Sequence, residues 1–197
     1  NYSTDLFAPI LDKISEVTGQ KDSGGEIGVA FRVIADHLRS LSFAVSDGAL
    51  PSNEGRGYVL RRMLRRATRF GRVLNMHEPF IYKLVPILAE VMGEAFPEIN
   101  TQQEHVQNVI QSEETSFGST LDRGLDIFQK IISSSETKSS KIVSGEDAFK
   151  LYDTYGFPVD LTRLMSNEHG FEVDEKGFEK LMTKQQDQAR EAGKFKT

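Results

Sequence analysis

The sequence predicts a mainly α protein, a helical domain with a long central helix and at most minor β segments. Nearly every apolar stretch repeats at three- and four-residue spacing. One such pattern runs over residues 100–132 without a break. The segments between are polar and rich in Gly, Pro, Asn and Ser, the composition of loops. At 197 residues the chain suffices for one large domain or two small ones, with 1–98 and 99–197 as a possible subdivision.

The elements follow in order. From Thr4 to Thr18, Leu6, Phe7, Ile10, Leu11, Ile14 and Val17 share one helical face, and Gly19 stands where a stop belongs. KDSGG is a loop, and Ile27–Val45 is a helix burying Phe31, Ile34, Leu38, Leu41 and Val45. The turn DGALPSNEGRG leads into an arginine-rich helix. Residues 78–92 are expected to be helical, with Pro79 in the first turn and Pro86 as a kink. In the long helix, Val106, Val109, Ile110, Phe117, Leu121, Leu125, Phe128 and Ile132 keep the helical spacing. SSSETKSSK reads as a loop. Ser144 is placed to cap the helix GEDAFKLYD, a helix follows at 158–168, and the charged tail from Asp174 is helical and frays at its end. KIVS and FEV are the short β candidates.

Composition narrows the classes. Hydrophobic residues at 38% and charged residues at 27% are ordinary for a globular protein. No apolar run reaches the length of a membrane span. The first residues, NYSTDLFAPI, lack a basic start followed by an apolar stretch and read like the interior of a longer chain. The absence of cysteine removes any disulfide framework or thiolate metal site and fits a reducing compartment. His37, His77, His105 and His169 have no ligand spacing, so no metal is expected.

Charge is distributed unevenly. The chain carries a formal −5, yet residues 54–72 hold seven arginines against Glu54, a local +6 that leaves −11 on the rest. At about 100° per residue, Arg61, Arg72, Arg65, Arg69, Arg62 and Arg66 fall within an arc of roughly 140°, and Val59, Phe70, Met63, Leu74, Ala67, Leu60 and Leu64 fill the opposite side. Like charges so close need anions from elsewhere. Phosphates are one source, since the planar guanidinium fork suits bidentate phosphate contact. Acids on neighbouring helices, such as those of QSEET, are another, and would make the arginines internal struts. Some arginines can do both.

Individual polar residues add candidates. Asn53 lies beside Gly55 and Gly57, which permit close approach of a backbone to a ligand. Its amide offers both donor and acceptor and can read a base edge; a turn or cap role is the plainer alternative. GRG lacks the strand and third glycine of a nucleotide fingerprint. Asp36-His37, mid-helix, reads as a structural pair more readily than a catalytic one; an independent enzyme using Asp36, His37 and nearby acids would have neither a nucleophile nor a metal. Asp160 suits the positive end of a helix dipole, whereas Asp153 at a helix C-terminus opposes it, which favours a functional role.

NYSTDLF, FRVIADHLRSLSFAVSDGALPSNEGRGYVLRRMLRRATR and AFKLYDTYGFPVDLT, in that order, resemble the alanyl-tRNA synthetases across the whole chain. The resemblance implies that residues 1–197 are the helical domain after the class II catalytic domain, which recognises the acceptor stem of tRNA(Ala). It implies that Asn53 and Asp153 flank a G·U wobble pair while Arg56, Arg61, Arg62, Arg65, Arg66 and Arg69 hold the backbone, and Asp160 is the fallback acid. The arginine-bearing and GLER-like class II motifs are missing, as is the HxxxH zinc pattern of the editing domain. Catalytic residues and cofactors are therefore not expected here. ATP and Mg belong to the parent's catalytic domain, a partner in the same chain, and Zn to its editing domain. The implied compartment is the cytoplasm, with an organellar form left open. The competing reading is a structural helical brace with internally paired arginines.

Overall fold

A computed structural model describes residues 2–194 and divides them into two compact units, with the boundary between Ser119 and Thr120. The first unit contains α1 (Ala8–Thr18), α2 (Gly25–Ser46), α3 (Gly55–Val73), a 3-10 turn at Ile81–Leu84, α4 (Val85–Met92), α5 (Pro97–Thr101) and the first part of α6 (Gln103–Ser133). The second contains the rest of α6, α7 (Ser135–Ser140), β1 (Ile142–Val143), α8 (Gly145–Tyr155), α9 (Val159–Glu168), β2 (Glu172–Val173) and α10 (Glu175–Lys194). The division falls inside α6, not at 98/99, because the early turns of α6 belong to the first core. Val106 and Ile110 are fully buried, and Glu113 and Glu114 bond to α3 and to the residues around the 3-10 turn.

The core of the first unit follows the sequence pattern. Ile10 and Ile14 of α1, Phe31, Ile34, Leu38 and Leu41 of α2, and Leu64, Ala67 and Phe70 of α3 are buried. Val59, on the edge of the apolar arc of α3, is 43% exposed. Gly71 faces the ring of Phe80 so closely that a Cβ there would lie 2.6 Å from Cε1. The missing side chain lets the aromatic ring lie against the helix.

Three local expectations are corrected. Pro79 lies before the 3-10 turn, and Pro86 occupies the first turn of α4. Proline has no N–H to contribute to a helical ladder, so the chain restarts there instead of kinking. The continuous helix expected from 100 is two pieces, with Gln102 between α5 and α6. The SSSETKSSK loop contains α7, whose first turn is fixed when the Ser134 hydroxyl accepts from the Thr137 N–H.

In the second unit β1 and β2 pair in parallel, Ile142 opposite Glu172 and Val143 opposite Val173. Ser144 caps α8 by accepting from the Asp147 N–H at 3.1 Å. Asp174 does the same for α10 through the Gly177 N–H at 2.9 Å. Helix α8 ends at Gly156, whose φ of 71° is the left-handed conformation that glycine adopts without strain. The expected fraying of the last residues, 195–197, lies outside the described part.

Candidate functional site

The loop before α3 is fixed by its own backbone and one hydroxyl. The Ser52 N–H donates to the Gly57 carbonyl at 3.0 Å, and its hydroxyl donates to the Glu54 carbonyl at 2.8 Å. A Cβ on Gly57 would collide with Ser52 and the Leu50 carbonyl. Asn53 therefore projects from a tight tip and is exposed. It is not the helix cap: Glu54 holds that position, with no side-chain cap bond. The first turn of α3 contains no acid but does contain Arg56, which is exposed. A cation beside the positive end of the dipole is unfavourable by itself.

Further along α3 the arginines find protein partners. Glu113 of α6 presents a single carboxylate oxygen to Arg65, 2.9 Å from Nε and 2.9 Å from Nη2. The same oxygen lies 3.0 Å from Nε of Arg61, an ion pair without the angle of a hydrogen bond. Arg61 turns its Nη1 outward and donates to the side-chain oxygen of Asn53. The Arg65 guanidinium also lies 5.2 Å from the centre of the Phe117 ring. Arg69 is only 8% exposed, its charge over Phe70 at 4.9 Å. Arg72 donates to the Met76 carbonyl at 2.6 Å, closing the C-terminal end of the helix. Arg62 and Arg66 are half-buried.

Burial shapes the titration of two groups here. His37 is pushed down to about 4, first by desolvation and then by the charge of Arg66, with Asp36 opposing. Its Nδ1 is 3.9 Å from Asp36 and has no hydrogen bond. A neutral imidazole without an orienting acid is poor material for general base catalysis. Glu114 is pushed up to about 7 because it is buried, although it accepts from the N–H groups of Phe80, Ile81 and Tyr82 at 3.1 Å each and senses the charge of Lys83. Its carboxyl fastens the segment that carries Phe80 under α3.

Asp153 belongs to the second unit. It lies in the last turn of α8, exposed, and its Oδ1 accepts from Nε2 of Gln185 on α10 at 2.6 Å. No cation pairs with it among the described residues. Asp160 stands in the first turn of α9, where the helix dipole favours an acid. Sequence reasoning missed Gln185, the Arg61–Asn53 bond and the role of Glu114, since each partner lies eight or more positions away and no periodicity joins them. Both Glu113 and Glu114 lie in QSEET, which marks that segment as a source of acids for the arginines; Glu114 instead binds the N–H groups of Phe80, Ile81 and Tyr82.

No helix among the described residues is long and apolar enough to cross a membrane. Nor do three His, Cys, Asp or Glu side chains gather there in a way that could hold a metal ion.

Against known proteins, the chain is 53% identical over 194 residues to the alanine–tRNA ligase of Chlorobium phaeobacteroides, covering 97% of this chain and 22% of that protein. It is 54% identical to the alanine–tRNA ligase of Chlorobaculum tepidum over 195 residues, 96% of this chain and 22% of that protein. It is 49% identical to that of Listeria monocytogenes over 193 residues, 98% of this chain and 22% of that protein. The chain thus spans about a fifth of the length of the curated relatives it matches. The family model described as tRNA synthetases class II (A) matches residues 1–197, and with a match that runs from end to end of the chain, this protein belongs to that family.

Proposed function

We propose that this chain is the tRNA-recognising helical part of an alanine–tRNA ligase, binding the acceptor stem of tRNA(Ala) and reading its G·U pair for a parent enzyme that attaches alanine using ATP. The open N-terminal end of α3 carries the reading: exposed Asn53 beside exposed Arg56, with no acid in the first helical turn. Sequence identity near one half with proteins that bear that name supports it. In this reading Arg56, Arg62 and Arg66 meet phosphate, and Arg61, Arg65 and Arg69 stiffen the helix that presents them. Phosphate contacts set the register and base contacts set the specificity.

Asn53 and Asp153 are assigned the two sides of the G·U pair. A carboxylate accepts from an exposed guanine amino group in the minor groove, and an amide serves either partner. Alanine activation, with its ATP and Mg, is assigned to the parent's catalytic domain and Zn to its editing domain, in the cytoplasm.

The test is a gel shift of the chain with tRNA(Ala) and with other tRNAs at two salt concentrations. Phosphate docking gives a steep loss with salt, and G·U reading gives a preference for tRNA(Ala) that a G·C replacement abolishes. Asn53→Ala and Asp153→Ala each cost about 1–3 kcal/mol of that discrimination. Alanine-dependent pyrophosphate exchange by the chain alone would contradict the division of labour. The brace reading is favoured by one observation, the Glu113 bridge to Arg61 and Arg65; it predicts little RNA binding at any salt.

A further inference from the structure

The bridge has two ends, and the outer one reaches Asn53 through Arg61. Glu113 is 8% exposed and has a single oxygen between Arg65 and Arg61. With Nε of Arg61 held there, its Nη1 reaches Asn53. A guanidinium only donates, so the atom of Asn53 that faces it must be the carbonyl oxygen. The amide nitrogen of Asn53 is left on an exposed side chain with no partner among the described residues.

We propose that Glu113 is a positioning residue which, through Arg61, pins the carbonyl of Asn53 and makes that side chain present only N–H donors to RNA. The amide would otherwise be ambidextrous, able to offer its oxygen to a donor or its nitrogen to an acceptor. Held this way it selects acceptors at a minor-groove edge: a pyrimidine O2, a purine N3 or a ribose 2′-hydroxyl. The inference rests on the reading of Asn53 as a base-reading residue. The buried carboxylate thus restricts which hydrogen-bond pattern is accepted, although it touches no ligand.

The chain is titrated by fluorescence anisotropy with two acceptor-stem RNA duplexes that differ only in a G·U or G·C pair. Glu113→Gln removes the charge that holds Arg61 and is expected to reduce the G·U preference by about tenfold. Affinity for duplex RNA as such stays equal or rises, because two guanidiniums are released toward phosphate. Arg61→Lys leaves Glu113 intact, but one ammonium cannot span both partners, so the same loss is expected; this variant decides the matter should Glu113→Gln fail to fold by circular dichroism. Asn53→Asp keeps an acceptor for Arg61 and deletes the donor, and should lose the preference as well. In an Asn53→Ala background, Glu113→Gln should add nothing. Preference retained in both Glu113→Gln and Arg61→Lys, while lost in Asn53→Ala, overturns the relay and leaves the reading of Asn53 standing. Preference retained in Asn53→Ala overturns both.

Discussion

The two ends of α3 are made of the same residue types and have opposite surroundings. At the C-terminal end, Arg69 is buried and Arg72 closes the helix on the Met76 carbonyl, so the charges there belong to the architecture. At the N-terminal end, Arg56 is exposed on a turn without acids, next to a fixed but exposed Asn53. Between them, Glu113 ties Arg61 and Arg65 to α6. Arginine content therefore does not measure exposed charge: on one helix the same residue type is buried at one end and open to solvent at the other.

The largest expected effect lies at the closed end. Glu114 has its carboxyl pushed up to about 7 from an ordinary value near 4.5, so between those values the folded chain holds a proton that the unfolded chain has released. Its contribution is full below pH 4.5 and falls away as pH rises through 7, an effect of up to about 3 kcal/mol. His37, pushed down to about 4 from 6.5, works the other way: its contribution is full above pH 6.5 and is lost as pH falls toward 4. The two oppose each other over most of one window. Glu114→Gln should expose the His37 slope alone, with urea-derived stability rising from pH 4 to pH 6.5. A flat profile in that variant would refute the opposition.

Arg69→Ala comes next, with a loss of about 2 kcal/mol from the removed stem packing and the space left behind, seen as a lower Tm. RNA affinity per folded molecule should hardly change. Gly71→Ala sharpens the same point without touching charge. Its new methyl must displace Phe80, at about 1–3 kcal/mol, again with intact binding once folded.

The smallest effect on stability belongs to the open end. Arg56→Ala should alter the free energy of unfolding by less than about 0.5 kcal/mol, and removing a cation from the first turn slightly favours the helix. Yet RNA binding should weaken for every sequence, and the slope of log affinity against log salt should fall by about 0.9. Equal binding by Arg56→Ala and the parent chain would erase the contrast between the two ends.

Much of this was legible in the sequence because it is periodic. The apolar faces of α1, α2, α3 and α6 follow from residue spacing, and Ser144 and Gly156 mark the ends of α8 by their own chemistry. Pro86 misled because proline inside an apolar run signals either a kink or a fresh start, and only the 3-10 turn before it decides. The site was legible as residues but not as bonds. Asn53 and the arginine arc stood out, and QSEET was a candidate source of acids. That one oxygen of Glu113 serves two arginines, and that Gln185 returns to Asp153, depends on packing between distant segments.

The parallel pair of β1 and β2 is only two residues long on each side, and it is expected to close late in the assembly of its unit. The Glu172 N–H reaches the Lys141 carbonyl and the Asp174 N–H reaches that of Val143, and both α8 and α9 lie between the partners in the chain. Closing that loop is entropically costly until the helices have docked. Those two amides should thus be late to acquire protection from hydrogen exchange during refolding, after the amides inside α8 and α9. Early protection at those two amides would show instead that the strands pair before the helices dock, and the order can be read without any probe attached to the protein.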